Sequence, residues 1–226
     1  MTCRIVTLSN AISTREDDYA RWYVDQHLGD VLNVPGVLGG QFFQAAAEAS
    51  RWRHLAVYEI EDGGAPDVIA ELGRRRGSSD MPITDAMDTD SLVFIIAKPL
   101  GGWRTAGAAS AGDETAAQCR LIALSNAVAG REQDFEQWYD EQHLPDVLRI
   151  PGFVGAQRFE IQPSGRGTPP AWSRLAIYAA ASEDPGVLLA EIGKRAGTAE
   201  MPITDALDRT SGFTGLFTAL TPHRSA

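Results

Sequence analysis

The chain repeats itself, and this repeat limits its possible folds more than any other feature. Residues 3–43 align without a gap with residues 119–159 at a constant offset of 116, and 22 of these 41 positions are identical. After a four-residue insertion near 163–170 the similarity resumes, and it closes with residues 81–86 against 201–206. The period is far longer than that of a solenoid repeat, so the sequence predicts a duplicated domain.

The segment between the two copies has a different composition from the copies themselves. Residues 101–118 are rich in Gly, Ala and Ser, which is typical of a flexible linker. We therefore predict a first repeat at residues 1–100, a linker at 101–118 and a second repeat at 119–226.

Within each copy, short β-branched runs alternate with helical patterns in the order β-α-β-β-α-β. We expect the first helix to end near Leu28 and Leu144, because Gly29 and Pro145 follow. This order is that of a ferredoxin-like unit, an antiparallel sheet with both helices on one face. Two copies in one chain can cover each other's open sheet face. The predicted fold class is therefore α+β, with two tandem ferredoxin-like units forming an intramolecular α+β barrel.

The composition limits the kinds of partner and the cellular location that we expect for the protein. The net charge is −10, so an acidic surface would repel phosphate backbones, and we predict no nucleic-acid partner. No apolar run reaches the roughly 18 residues that indicate a membrane span. The N-terminus lacks a signal-peptide pattern, and the only cysteines are Cys3 and Cys119. We expect a cytoplasmic protein with a small-molecule ligand, and a homodimer of the duplicated chain is left open.

The first helix of each copy carries polar and aromatic residues on its inward face. At 100° per residue this face holds Tyr19, Trp22, Tyr23, Gln26, His27 and Asp30 in the first copy, and Phe135, Trp138, Tyr139, Gln142, His143 and Asp146 in the second. A histidine near its ordinary pKa can give and take protons. We predict His27 and His143 as catalytic. Tyr23 and Tyr139 would orient them or polarise a substrate oxygen.

Two structural details of this helix are also predicted. Asp30 or Tyr23 could hold the tautomer of His27, because each lies within reach along the helix. A position near the end of the helix would favour the charged form of the imidazole. The alternative is that both histidines are packed, hydrogen-bonded core residues without a chemical role.

Further retained side chains are candidates for substrate binding. The set comprises Asn10 and Asn126, Trp22 and Trp138, Tyr58 and Tyr178, and Asp30 and Asp146. Each has an ordinary structural alternative: turns for the asparagines, core anchoring for the tryptophans and cross-strand packing for the tyrosines. No Cys-x-x-Cys or His-Glu-x-x-His motif is present, so no metal site is predicted.

The helix motif resembles the EthD-like branch of the dimeric α+β barrel superfamily. The residues that carry the resemblance are Asn126, Arg131, Glu132, Phe135, Trp138, Tyr139, His143, Pro145, Asp146, Pro151 and Gly152, with their first-copy counterparts. The first copy departs from the pattern at Gly29. The resemblance implies cavities for small, often aromatic or polyketide-like metabolites. Relatives include cyclases, dehydratases, decarboxylases, lactone isomerases, cofactor-free monooxygenases and haem-binding proteins.

Three functions remain open at this point. The first is a His-centred acid–base enzyme of lyase, dehydratase or isomerase type acting on a small metabolite. The second is an oxygenase, either cofactor-free or dependent on haem. The third is a non-catalytic protein that binds a metabolite. No cofactor is predicted, although the resemblance leaves haem open.

Overall fold

A computed structural model describes residues 2–107, 114–163 and 171–226 of the chain. The chain divides into two units. The first unit consists mainly of Met1–Pro99 with the C-terminal Ala219–Ala226, and the second mainly of Leu100–Ile161 with Ala171–Thr218. Most of the predicted insertion (164–170) and the middle of the predicted linker (108–113) lie outside the described residues.

The first unit follows the order β-α-β-β-α-β, with one π-helical turn that the sequence did not predict. Its elements are β1 Cys3–Ala11, α1 Glu16–Trp22, the π turn Tyr23–His27, α2 Leu28–Leu32, β2 Val37–Ala45, β3 His54–Ile60, α3 Ala65–Arg75 and β4 Met87–Pro99.

The second unit repeats this order after one short additional strand and a single 3₁₀ turn, Glu114–Ala116. Its elements are β5 Arg104–Thr105, β6 Cys119–Ser125, α4 Glu132–Trp138, the π turn Tyr139–His143, α5 Leu144–Leu148, β7 Phe153–Gln162, β8 Arg174–Ala180, α6 Pro185–Arg195 and β9 Phe213–Ala219. The last strand of the chain, β10 Arg224–Ser225, lies in the first unit. Helices and antiparallel strands of this kind confirm the predicted α+β class.

The sheet of the first unit has the order β10-β2-β3-β1-β4, and its neighbours are antiparallel. Thr7 of β1 lies opposite Ala56 of β3, which in turn lies opposite Phe42 of β2. On the other side of β1, Thr7 lies opposite Phe94 of β4. Side chains directly opposite each other share one face of a sheet. The register therefore places these residues in a single row, and the helices pack over it.

The sheet of the second unit has the same core order, with β5 added to the outer edge of β7. Leu121 lies opposite Tyr178, and Arg158 lies opposite Ala176. Arg158 thus occupies the row position that an aromatic residue, Phe42, holds in the first unit.

Part of the predicted linker is regular. Arg104 and Thr105 pair with β7 opposite Ala156 and Gly155. The indole of Trp103 lies over Gly155, where an added Cβ would come within 2.5 Å of its ring. Composition did not indicate this strand, because a two-residue strand held by backbone hydrogen bonds leaves little trace in a sequence. The β10 strand pairs with β2 in the corresponding way.

Candidate active site of the first unit

A π-helical turn shapes the first helix where the predicted catalytic residues stand. The Leu28 N–H donates to the Tyr23 carbonyl, five residues back, instead of four. This extra residue lets Trp22 and His27, which are also five apart, stack with centroids 4.3 Å apart and planes at 20°. Such π turns occur frequently at functional sites.

The helix also continues further than expected. It runs to Leu32 in the first unit and to Leu148 in the second, past Gly29 and Pro145. Pro145 stands in the first turn of the renewed α-helix, where its missing N–H costs little. The prediction of an ending near Leu28 is wrong for this reason, and so is the expectation that His27 lies at a helix terminus that would favour its charge.

Aromatic side chains form the base of the site. The hydroxyls of Tyr23 and Tyr58 lie 2.8 Å apart in a hydrogen bond, and both rings are buried. Phe42 stacks on Tyr23 with centroids 3.8 Å apart and planes at 2°. The Tyr19 hydroxyl shares a 2.7 Å hydrogen bond with the Ser9 hydroxyl. Burial raises the pKa of Tyr23 and, more strongly, that of Tyr58, so both phenols stay protonated at neutral pH.

A cavity of about 560 Å³ opens beside these rings, within the first unit. The helices, the sheet and the loop between α3 and β4 all contribute walls. The lining consists of Ile5, Thr7, Tyr19, Trp22, Tyr23, His27, Val31, Tyr58, Ile69, Leu72, Arg76, Met81, Ile83, Met87, Asp90, Leu92 and Phe94. The Trp22 indole N–H donates to the Pro82 carbonyl at 3.2 Å, which ties the loop to the helix. A largely apolar cavity with few polar groups is typical of a small-molecule site.

His27 enters this cavity as a neutral base. Burial, and to a lesser extent the nearby Arg76 guanidinium, lower the pKa of His27 to about 4. Its Nδ1 atom is buried and finds no hydrogen-bond partner among the described residues. Neither Asp30 nor Tyr23 therefore holds this nitrogen, and the predicted tautomer partner is wrong. Tyr23 contacts the imidazole only edge to face, with centroids 4.9 Å apart.

The surroundings of Nδ1 also show whether His27 could bind the iron of a haem. A metal-bound histidine almost always donates its second ring N–H to a carboxylate, carbonyl or water. The buried Nδ1 of His27 faces no such acceptor among the described residues. The residues present therefore do not fit a haem held through His27. In the described part of the chain, no group of three or more His, Cys, Asp or Glu side chains is placed to hold a metal ion.

The structure brings four predicted site residues of the first unit together and leaves two aside. Trp22, Tyr23, His27 and Tyr58 line the cavity. Asn10 instead ties the end of β1 to the loop between β2 and β3. Its amide donates to the Arg51 carbonyl at 3.0 Å and accepts from the Arg53 N–H at 2.7 Å.

Asp30 and Asp146, the aspartates predicted to bind substrate, lie beside the site helices. Asp30 is outside the cavity lining, and its Oδ2 is buried without a hydrogen bond to any described residue. Burial, with a contribution from Asp80, raises its pKa. Asp146 forms an ion pair with Arg149, and burial raises its pKa as well.

The second unit reproduces the ring geometry. Trp138 stacks on His143 with centroids 4.6 Å apart and planes at 23°, and the Tyr178 hydroxyl donates to that of Tyr139 at 3.3 Å. Burial, followed by the charge of Arg158, lowers the pKa of His143 to about 4. The side chain of Asn126 is tied to the neighbouring loop as that of Asn10 is.

The surroundings of these rings differ in the second unit. The Arg158 guanidinium lies 4.3 Å above the centre of the Tyr139 ring and forms ion pairs with Glu136 at 2.7 Å and Asp140 at 3.0 Å. A cavity of only about 40 Å³ borders Arg158 and Asp140, and His143 is not part of its lining.

Sequence reasoning missed several lining residues of the first-unit cavity. Arg76 and Asp90 are the two charged ones, and Phe94 and Thr7 belong to the sheet wall. None of the four is repeated in the second copy, where the corresponding positions hold Ala196, Thr210, Thr214 and Ala123. These lining residues could therefore have been found among the positions at which the two copies differ, whereas the predictions used positions at which the copies are identical.

Comparison with known proteins supports the fold. The sequence matches no protein-family model and no curated protein. Among solved structures it is similar to an anthrone oxidase-like protein (TM-score 0.65, 8% identity, 100% of this chain and 93% of that chain). It is also similar to a proposed monooxygenase from Lactobacillus acidophilus NCFM (TM-score 0.53, 11% identity, 100% of this chain and 98% of that chain). A third similar structure is chlorite dismutase from Candidatus Nitrospira defluvii (TM-score 0.53, 8% identity, 96% of this chain and 91% of that chain).

These structural neighbours are dimeric α+β barrel proteins of the ferredoxin-like type. At such low identities the likeness shows the fold alone. The α+β fold prediction is confirmed, whereas membership of the dimeric α+β barrel superfamily and of its EthD-like branch stays a prediction. Within the described residues, no helix combines the length and hydropathy needed to cross a bilayer.

Proposed function

We propose that the first unit is a small-molecule enzyme in which His27 accepts a proton from a planar, aromatic metabolite bound in its cavity. The observation that carries this proposal is a neutral imidazole in the wall of a cavity of about 560 Å³ whose other walls are mainly aromatic and aliphatic. Aromatic rings favour a flat ligand through stacking and edge contacts.

The roles follow from the protonation states. With a pKa of about 4, His27 is an acceptor and not an acid at neutral pH. Since Nδ1 is buried, Nε2 is the nitrogen through which the ring can meet a ligand. The Tyr23 and Tyr58 hydroxyls are protonated, and one of them can donate a hydrogen bond to a ligand oxygen on which negative charge develops. Return of the proton to another carbon would complete an isomerase reaction. In a lyase reaction the ligand anion would instead expel a leaving group from the neighbouring carbon, and the imidazolium would give its proton to that group.

An oxygenase is the second candidate, favoured by the structural likeness to an anthrone oxidase-like protein and a proposed monooxygenase. It would begin with the same proton transfer, after which the ligand anion reacts with O₂. The two candidates therefore share His27 and differ in whether oxygen is consumed. Catalytic roles for His143 and Tyr139 in the second unit stay predictions.

Anthrone, a planar ketone with acidic C–H bonds, is a suitable probe for both candidates. Under nitrogen in D₂O, we expect the protein to accelerate deuterium exchange at its CH₂ group, measured by NMR against the uncatalysed rate. His27→Asn should lower this acceleration by about 10²–10⁴-fold. The matched His143→Asn variant measures any contribution of the second unit. Under air, conversion of anthrone and O₂ to anthraquinone and water would identify an oxygenase.

The proposal fails if His27→Asn retains full activity with an intact fold. Ligand-dependent thermal stabilisation without exchange or oxygen uptake would instead identify a non-catalytic binding protein.

A further inference from the structure

One positively charged side chain at the first-unit cavity has no ion-pair partner among the residues that the structure describes. Arg76 directly follows α3, and its exposed side chain lines the cavity. The two preceding arginines differ from it, because Arg74 and Arg75 bind the Glu71 carboxylate at 2.7 and 2.6 Å. Arg76 makes no side-chain hydrogen bond or ion pair with any residue of the described chain, so its guanidinium is available to a ligand.

The turn that presents Arg76 does not require an arginine. In the first unit the Gly77 N–H donates to the Met81 carbonyl at 2.9 Å, and the corresponding bond from Gly197 to Met201 in the second unit is also 2.9 Å. Both glycines have a φ of +79°. The backbone is therefore the same in both units, although alanine precedes the glycine in the second. A structural role in the turn does not explain Arg76.

The two charged residues of the cavity come from two different elements of the fold. Arg76 lies on the α3 side, close enough to His27 for its charge to act on the imidazole, and Asp90 contributes a carboxylate from β4. The second unit has Ala196 and Thr210 at these positions, so neither charge is repeated there. All other lining residues of the cavity are apolar, aromatic or uncharged at neutral pH.

We propose that the first-unit cavity takes a planar aromatic ligand bearing one anionic oxygen group, a carboxylate or a phenolate, and that Arg76 binds this group. The inference rests on the proposed function in that it assumes a ligand in this cavity. A guanidinium offers a planar fork of N–H donors that matches such oxygens. Asp90 would repel a second anionic group on the β4 side. The ligand anion would then lie beside His27, so Arg76 would also stabilise the charge left after proton transfer.

Two matched pairs of probes test this inference at pH 7.5. The first pair is 2-naphthoate and the neutral naphthalene-2-carboxamide, and the second is 4-nitrophenolate and the neutral 4-nitroanisole. Binding is measured by isothermal titration and by quenching of tryptophan fluorescence, since Trp22 lines the cavity. We expect at least one anion to bind about tenfold or more tightly than its neutral partner. The pair that shows this preference identifies the oxygen group.

Arg76→Met should remove the preference for the anion and leave binding of the neutral probe unchanged. The control Arg74→Met removes the same charge two residues away, outside the cavity lining, and should retain the preference. Equal binding of anion and neutral partner by the wild-type protein, or an equal loss of both in Arg76→Met, overturns the role of Arg76 while the proposed function stands. Failure of all four probes to bind overturns both proposals.

Discussion

The two units carry the same Trp–His–Tyr arrangement but cover its tyrosine differently. In the first unit Phe42 stacks on Tyr23, and the neighbouring helix positions are the apolar Ala20 and Val24. In the second unit an arginine lies over the tyrosine, and glutamate and aspartate at the same helix positions neutralise it. Three linked substitutions therefore exchange an apolar cluster for an ionic one in which the arginine is buried and its two acidic partners reach the surface.

The walls of the candidate site differ in a related way. Strand β4 has 13 residues and supplies Leu92 and Phe94 to the first-unit cavity. Strand β9 has seven residues, and the equivalent places hold Gly212, just before the strand, and Thr214 within it. Large side chains are needed to enclose a cavity. Residues that are identical in the two copies thus reflect the shared packing of the helix, whereas residues that differ determine the walls of the cavity in each unit.

The largest effect is expected from exchanging the residue over the tyrosine. Phe42→Arg would bury a guanidinium among Ala20, Val24 and aromatic rings, with no acid at the two helix positions. We expect a loss of about 3–5 kcal/mol in the free energy of unfolding, because an uncompensated buried charge is strongly unfavourable. Urea unfolding followed by circular dichroism measures this loss.

The reverse exchange is the matched control. In Arg158→Phe, Glu136 keeps its 2.6 Å ion pair with Arg174, and Asp140 keeps its contact with Arg104. We therefore expect a smaller loss, about 1–2 kcal/mol. Phe42→Leu, which keeps the site apolar, should cost less than about 1.5 kcal/mol. Equal losses for the two reciprocal exchanges would contradict the linkage between the three positions.

Lowering the pH should have an intermediate effect on stability, and the loss of stability should be greater in the first unit. Burial is the main cause that lowers the pKa of His27, His54 and His143 to about 4, and two of the three lie in the first unit. Between pH 6.5 and 4 the unfolded chain binds protons at these sites and the folded chain does not, so stability falls as the pH falls. From pH 6.5 to 5 each histidine should contribute a loss of about 1.6 kcal/mol.

Hydrogen exchange measured by mass spectrometry at pH 7 and pH 5 resolves the two units. Protection should decrease more in strands β1–β3 than in β6–β8. His54→Phe removes one titrating group while keeping a ring beside Phe42, and it should reduce the difference. A uniform loss of protection across both units would show that other groups dominate the acid response.

The smallest effect concerns the residue after the π turn. Gly29 stands where the second unit has Pro145, and an added Cβ at Gly29 meets nothing within 4 Å. Gly29→Pro should raise the melting temperature slightly, by a stabilisation of about 0.4–1 kcal/mol, because proline restricts the unfolded chain. Differential scanning calorimetry measures the change. Destabilisation would mean that the two π turns differ in their hydrogen bonding.

The sequence predicted the aromatic part of the helix face but not its local geometry, and Gln26 and Gln142, which were expected to point inward, are exposed. Periodicity was sufficient to bring Trp22, Tyr23 and His27 to one inward face, and strand placement was sufficient for Tyr58. The π turn was not predictable in this way, because a single residue inserted in a helix changes the hydrogen-bond register without changing the composition. The lack of a hydrogen-bond partner for the His27 Nδ1 among the described residues was also missed, since burial of this atom depends on the packing of residues that are distant in the chain.

By itself, the sequence determined that the chain is duplicated, that it belongs to the α+β class and that each copy carries a histidine among aromatic residues. Only the tertiary structure decided that His27 borders a sizeable cavity, that its charge state is neutral and that Arg76 stands beside it without an ion-pair partner among the described residues. The physical reason is that local patterns set helices and strands. Cavities and pKa shifts arise where several distant elements meet and exclude water.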